Sequence, residues 1–80
     1  MKSALVSIRV WRMKYKVVVH HETDGGYWAE VPALPGCVSQ GDTLDELQAN
    51  IREAMEGYLE VLREEGRAPE ADVQVLEIAL

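Results

Sequence analysis

Residues 25–53, GGYWAEVPALPGCVSQGDTLDELQANIRE, decide how the chain folds. Asp24-Gly25-Gly26 marks a hairpin, because the tight turns between antiparallel strands need positive φ where only Gly, Asn or Asp is comfortable. A strand therefore begins at Tyr27. Tyr27, Ala29 and Val31 alternate with Trp28, Glu30 and Pro32, so one face carries the smaller apolar groups and the other an indole and a carboxylate. Leu34-Pro35-Gly36 fits a type II turn, with Pro fixing φ at its first central position and Gly supplying positive φ at the second. A short strand from about Cys37 to Gln40 follows. Thr43 is the expected helix N-cap, with Glu46 three residues on to complete a capping box, so a helix starts at Leu44.

Working outward, Tyr15–His21 is β-branched and apolar enough to be an interior strand running into that hairpin. Before it, Ala4–Trp11 alternates Val6, Ile8 and Val10 against Leu5, Ser7 and Arg9, a strand pattern. Met13 offers a second plausible start, so residues 1–12 read as an N-terminal extension and 13–80 as the domain. On the helix, Leu47, Ile51, Ala54, Met55, Tyr58, Leu59 and Leu62 form one apolar stripe, and Gly66 and Pro69 stop it. Val73–Leu80 reads as a final strand. The class is α+β: an antiparallel meander with one long helix on one sheet face, a returning strand and an extra N-terminal strand.

Eighty residues make one small domain near the size at which a single core is marginal, so a partner or second copy would help it. The formal net charge is −6, and it is unevenly spread. Lys2, Arg9, Arg12, Lys14 and Lys16 precede every acid; all fourteen acids follow, against Arg52, Arg63 and Arg67. The single Cys37 allows no intramolecular disulfide, and no apolar run reaches spanning length, which fits a cytoplasmic protein with no membrane partner. Adjacent His20 and His21 point to opposite faces of a regular strand and cannot grip one ion. No metal and no cofactor is expected. A two-metal nuclease centre needs several carboxylates converging from neighbouring strands, and Tyr15–Val19 offers none; solvation explains Glu22, Asp24 and Glu30 at the hairpin and on a strand face, so no catalysis is expected.

A helix from 44 to about 65 would be roughly 33 Å long, whereas strands of five or six residues span roughly 17–20 Å. It should overhang its sheet, leaving Tyr58, Val61 and Leu62 to be covered by something else. Trp28 and Glu30 lie on the sheet face away from the helix, and Leu34 sits at the turn. These six are the expected partner interface, in a homo-oligomer (dimer or tetramer) or with another protein. Arg9, Arg12, Lys14 and Lys16 are the candidates for a nucleic-acid contact.

The stretch DGGYWAEVPALPGCVSQGDTLDELQANIREA resembles the signature of the HicB-like (UPF0150-type) antitoxin family, closely over Met13 to about Leu62 and loosely at the end. The resemblance implies a partial RNase H fold, with three antiparallel strands, a helix, and a fourth strand returning beside the first. It also implies a partner, a small basic HicA-type toxin that cleaves mRNA and is blocked when bound. Longer members add a helix-turn-helix or ribbon-helix-helix module for operator DNA; nothing here matches one, so no autonomous DNA-binding domain is expected. The alternative from another class is an orphan self-associating structural or regulatory module without a toxin.

Overall fold

The computed structural model describes residues 3–10 and 13–69. Four strands, β1 (Ser3–Val10), β2 (Met13–His21), β3 (Tyr27–Glu30) and β4 (Val38–Gly41), form one antiparallel sheet in the order β1-β2-β3-β4. A 21-residue helix, α1 (Leu44–Glu64), packs on one face.

The turns form where their residues require. Gly25 and Gly26 take φ of 95° and 84°, and the Glu22 amide donates to the Gly26 carbonyl at 3.1 Å. In the second turn Gly36 has φ 84° and the Cys37 amide closes onto the Leu34 carbonyl at 2.9 Å, as a type II turn demands. Thr43 caps α1, its hydroxyl accepting from the Glu46 amide at 3.1 Å. The return bond of the box is displaced by one residue: Glu46 Oε1 accepts from the Asp42 amide at 3.4 Å. At the other end the Gly66 amide donates to Arg63 and that of Arg67 to Leu62, a Schellman closure around Gly66 at φ 69°. Between strand and helix, Gly41 is fixed by space, since a Cβ there would lie 2.5 Å from the Leu47 nitrogen.

Strand alternation divides the sheet into two unlike faces. Ile8, Val10, Tyr15, Val17, Val19, Ala29 and Val31 turn toward α1 and meet Leu47, Ile51, Met55, Leu59 and Leu62 in a core to which, among the described residues, no buried polar or charged residue belongs. Each fully buried aliphatic side chain contributes about 1.5–3 kcal/mol. The opposite face carries Leu5, Arg9, Lys14, Lys16, Val18, His20, Trp28, Glu30, Val38 and Gln40, and no described element covers it.

Three expectations change. First, the strands from which the overhang of α1 is reckoned are longer than expected. β1 and β2 have eight and nine residues, which at about 3.3 Å per residue approach the roughly 31 Å of the helix. Leu62, expected at an interface, is 5% exposed and belongs to the core. Second, Leu34 is not an accessible anchor; it is fully buried as a plug beneath the turn it opens. Third, β1 occupies the outer edge of β2, in unbroken register from Ser3↔His20 to Val10↔Met13, where the returning strand was expected. Two residues separate β1 and β2, so closing that hairpin costs less chain entropy than a long-range return. Residues 3–10, expected as an extension, contribute Ile8 and Val10 to the core. The strand expected at 73–80 lies outside the described residues.

Candidate functional site: a groove beside the sheet edge and the open sheet face

Two surfaces hold the accessible apolar and charged groups. The first is an open groove of about 720 Å³ between β4 and the outer side of α1. Its floor is kept low by Gly36, Ala54 and Gly57; Val38 and Val61 stand at its sides, 55% and 51% exposed. Asn50 reaches across from the helix, its side-chain amide donating to the Gln40 carbonyl at 2.8 Å. Farther along, the half-buried Tyr58 donates its hydroxyl to the Pro35 carbonyl at 2.8 Å, tying helix to turn. Glu53 and Glu65 add carboxylates to the lining, and Glu65 pairs with Arg67 at 2.9 Å. Beyond the groove, Asp45, Glu46, Glu56, Glu60 and Glu64 make the rest of the helix surface predominantly acidic. Arg63 binds Glu60 at 2.7 Å, an exposed i,i+3 pair that adds little stability.

The second surface is the uncovered sheet face. The register sets His20 beside Trp28 and Trp28 beside Gln40, with Val18, Glu30 and Val38 in the next row. The His20 imidazole stacks on the Trp28 indole, with ring centroids 4.0 Å apart and planes 12° from parallel. Its Nε2 meets Glu30 Oε2 at 2.9 Å. His20 thus clasps an aromatic and a carboxylate at once, and Glu30 is held in place rather than projecting freely. Arg9, Lys14 and Lys16 lie exposed toward the far end of this face, while Arg12 lies outside the described residues. The face is basic and aromatic where the helix side is acidic.

Of the expected interface residues, Trp28 and Glu30 sit together on the sheet face and Tyr58 and Val61 together at the groove; Leu34 and Leu62 are interior. The two histidines diverge as expected: His21 turns to the other face, where it meets Tyr27 edge-on at 4.8 Å. What the residue-by-residue reading missed was the His20 clasp. The Asp-Gly-Gly turn contained the signal, because pairing His21 with Tyr27 places His20 opposite Trp28 and leaves Glu30 diagonal to it, within reach of a long side chain.

Chemically these surfaces are suited to binding. Cys37 is buried, and burial pushes its thiol pKa above the ordinary value, which works against a nucleophilic thiolate. Among the described residues no three His, Cys, Asp or Glu side chains converge to hold a metal ion, and no helix is long and apolar enough to cross a membrane.

The family described as HicB_like antitoxin of bacterial toxin-antitoxin system matches residues 15–79, most of the chain. The chain belongs to the HicB-like antitoxin family. Relatives agree: a UPF0150 protein of Archaeoglobus fulgidus is 42% identical over 66 residues, 82% of this chain and 96% of that protein. A UPF0150 protein of Synechocystis is 43% identical over 67 residues, covering 82% and 85% respectively, and one of Thermoplasma acidophilum is 49% identical over 51 residues, covering 64% and 74%. No solved structure gives a significant match. The family match begins within β2, so β1 lies outside it, while the groove, the His20–Trp28–Glu30 clasp and α1 lie inside.

Proposed function

We propose that this HicB-like protein is a non-catalytic antitoxin that binds and occludes a HicA-type, mRNA-cleaving toxin. Membership of an antitoxin family gives the general role, and the observation that supports the mode is the pairing of an acidic helix surface with an apolar groove. A protein that holds RNA phosphates is positively charged, and a carboxylate-rich surface competes for that site and speeds encounter. Charge alone would be weak and easily screened. Val38, Val61 and the ring of Tyr58 supply desolvated contacts beside the acids, as a stable interface needs. On this reading the protein works in the cytoplasm, where its partner meets mRNA, and works as a homo-oligomer. The absence of catalysis is supported by the engaged Glu30 and the buried Cys37 thiol.

The test is titration of a purified HicA-type toxin with this protein, with cleavage of a labelled RNA as readout. Stoichiometric inhibition that persists at moderate salt is expected, and V38E/V61E should lose it while remaining folded. Undiminished cleavage with excess wild-type protein would refute the proposal. A second reading, contact with nucleic acid, is favoured by Arg9, Lys14 and Lys16 sharing one exposed face with Trp28. It predicts oligonucleotide binding that weakens steeply with salt and is lost in K14E/K16E.

A further inference from the structure

His20 covers only one face of the Trp28 indole. Trp28 stands on β3 between His20 of β2 and Gln40 of β4, and because the His20 and Trp28 rings lie 12° from parallel, the other face of the indole looks toward β4. There a cleft of about 500 Å³ opens, lined by Glu22, Trp28, Val38, Ser39 and Gln40. Glu22 reaches it because the ladder runs on past β2: its amide donates to the Gly26 carbonyl at 3.1 Å, and two residues beyond His20 its side chain belongs to the same open face. Glu30 is held by His20 at 2.9 Å, whereas the exposed Glu22 carboxylate has no partner among the described side chains, and neither has the Gln40 side-chain amide.

We propose that this cleft receives an arginine side chain from a basic partner protein, the guanidinium lying flat on the open face of Trp28 with its edge turned to Glu22. The chemistry selects that ligand. Indole is the strongest of the aromatic faces for a cation, and a guanidinium, planar and weakly hydrated, stacks on it while its N–H groups fork onto a carboxylate. A Lys ammonium meets the carboxylate as a point charge and leaves the ring face half covered. Val38 gives the aliphatic stem an apolar wall, and the Gln40 side-chain oxygen is a further acceptor. A nucleic-acid base stacked on the same indole would bring its phosphate beside Glu22. The nearest cation on β2, Lys16, is four residues from His20, about 13 Å at about 3.3 Å per residue, with Glu30 in the intervening row. The cleft also adjoins the groove, since Val38 and Ser39 line both, so one protein seated in the groove reaches over β4 to deliver the arginine. The identity of that protein rests on the toxin-binding reading above; the chemistry of the cleft does not.

Side-chain NMR of the full-length chain tests the cleft without any toxin. N-acetyl-L-arginine amide at millimolar concentration should shift the Trp28 indole N–H, assigned by its loss in W28L, and the Gln40 side-chain amide, while N-acetyl-L-lysine amide binds more weakly. E22Q, at an exposed position, should weaken arginine amide binding by roughly two- to fivefold. In the toxin titration, where the partner excludes water from the cleft, E22Q and W28L should each raise the inhibition constant by roughly tenfold with unchanged far-ultraviolet circular dichroism. No response of the wild-type chain to arginine amide would overturn the proposal even where the toxin is fully inhibited, as would toxin inhibition indifferent to both variants. A stronger response to adenosine monophosphate would overturn it in favour of a nucleic-acid base on Trp28. Arginine amide bound through Glu22 and Trp28, with the toxin left uninhibited, would uphold the cleft and refute the toxin as the protein that fills it.

Discussion

The two faces of the same four strands differ by one residue of register and share almost no chemistry. Val17 and Val19 are buried, while Lys16, Val18 and His20, alternating with them, lie on the open face and are exposed or half-buried. Among the described residues the covered face holds the core and has no buried polar or charged residue; the open face and the helix surface carry the charge and the proposed contact groups. Stability and the proposed binding should therefore be separable, with substitutions sorting by the face they touch.

The sharpest contrast is between Met55 and Val38. Met55 is fully buried at the centre of the stripe, and truncation to Ala should cost about 2–5 kcal/mol by lost transfer and residual cavity. Val38→Ala, on the open side, should stay within about 0.5 kcal/mol. Urea denaturation followed by circular dichroism measures both; equal losses would erase the distinction between the faces. Next comes Gly41→Ala, which tests the hinge between β4 and α1. With backbone atoms of Leu47 so close, β4 and the helix start must move apart, at about 1–3 kcal/mol. A neutral result would show that the junction is looser than its geometry. Thr43→Ala should cost about 0.5–2 kcal/mol, because the Glu46 amide loses its acceptor.

Which parts of this comparison could be read in advance follows from how local their causes are. The Asp24–Gly26 hairpin, the Leu34–Gly36 turn, the Thr43 cap and the helix stripe are each fixed by a few adjacent residues, and each stands where those residues put it. The family was legible for the same reason, since its signature runs through those turns. The misplacements were long-range. Leu62 reads as exposed when the sheet is taken to be short, yet it lies in the core, beside the Ala33–Pro35 turn. Leu34 looks like a surface residue because its neighbours make a turn, yet that turn folds it inward. From the sequence His20 pairs in the eye with His21, its neighbour, whereas its partners are Trp28 and Glu30 across the hairpin.

The smallest expected change runs in the opposite direction. Gly57 lies in the middle of α1 on its exposed side, and a Cβ there would meet nothing within 4 Å. A mid-helix glycine costs about 0.5–1 kcal/mol relative to alanine, and nothing among the described residues requires one here. Gly57→Ala should accordingly raise stability by about that amount, read as a higher urea midpoint at unchanged slope. If the groove admits a partner down to the helix backbone, the same methyl should obstruct it, so the variant would fold better and bind the toxin less well. A gain in stability with unaltered toxin inhibition would show that the partner does not reach the groove floor, moving its contact outward to Val38, Val61 and the acidic rim. Opposite signs for folding and binding at one methyl group would establish that this side of α1 is maintained for contact at some cost to the helix.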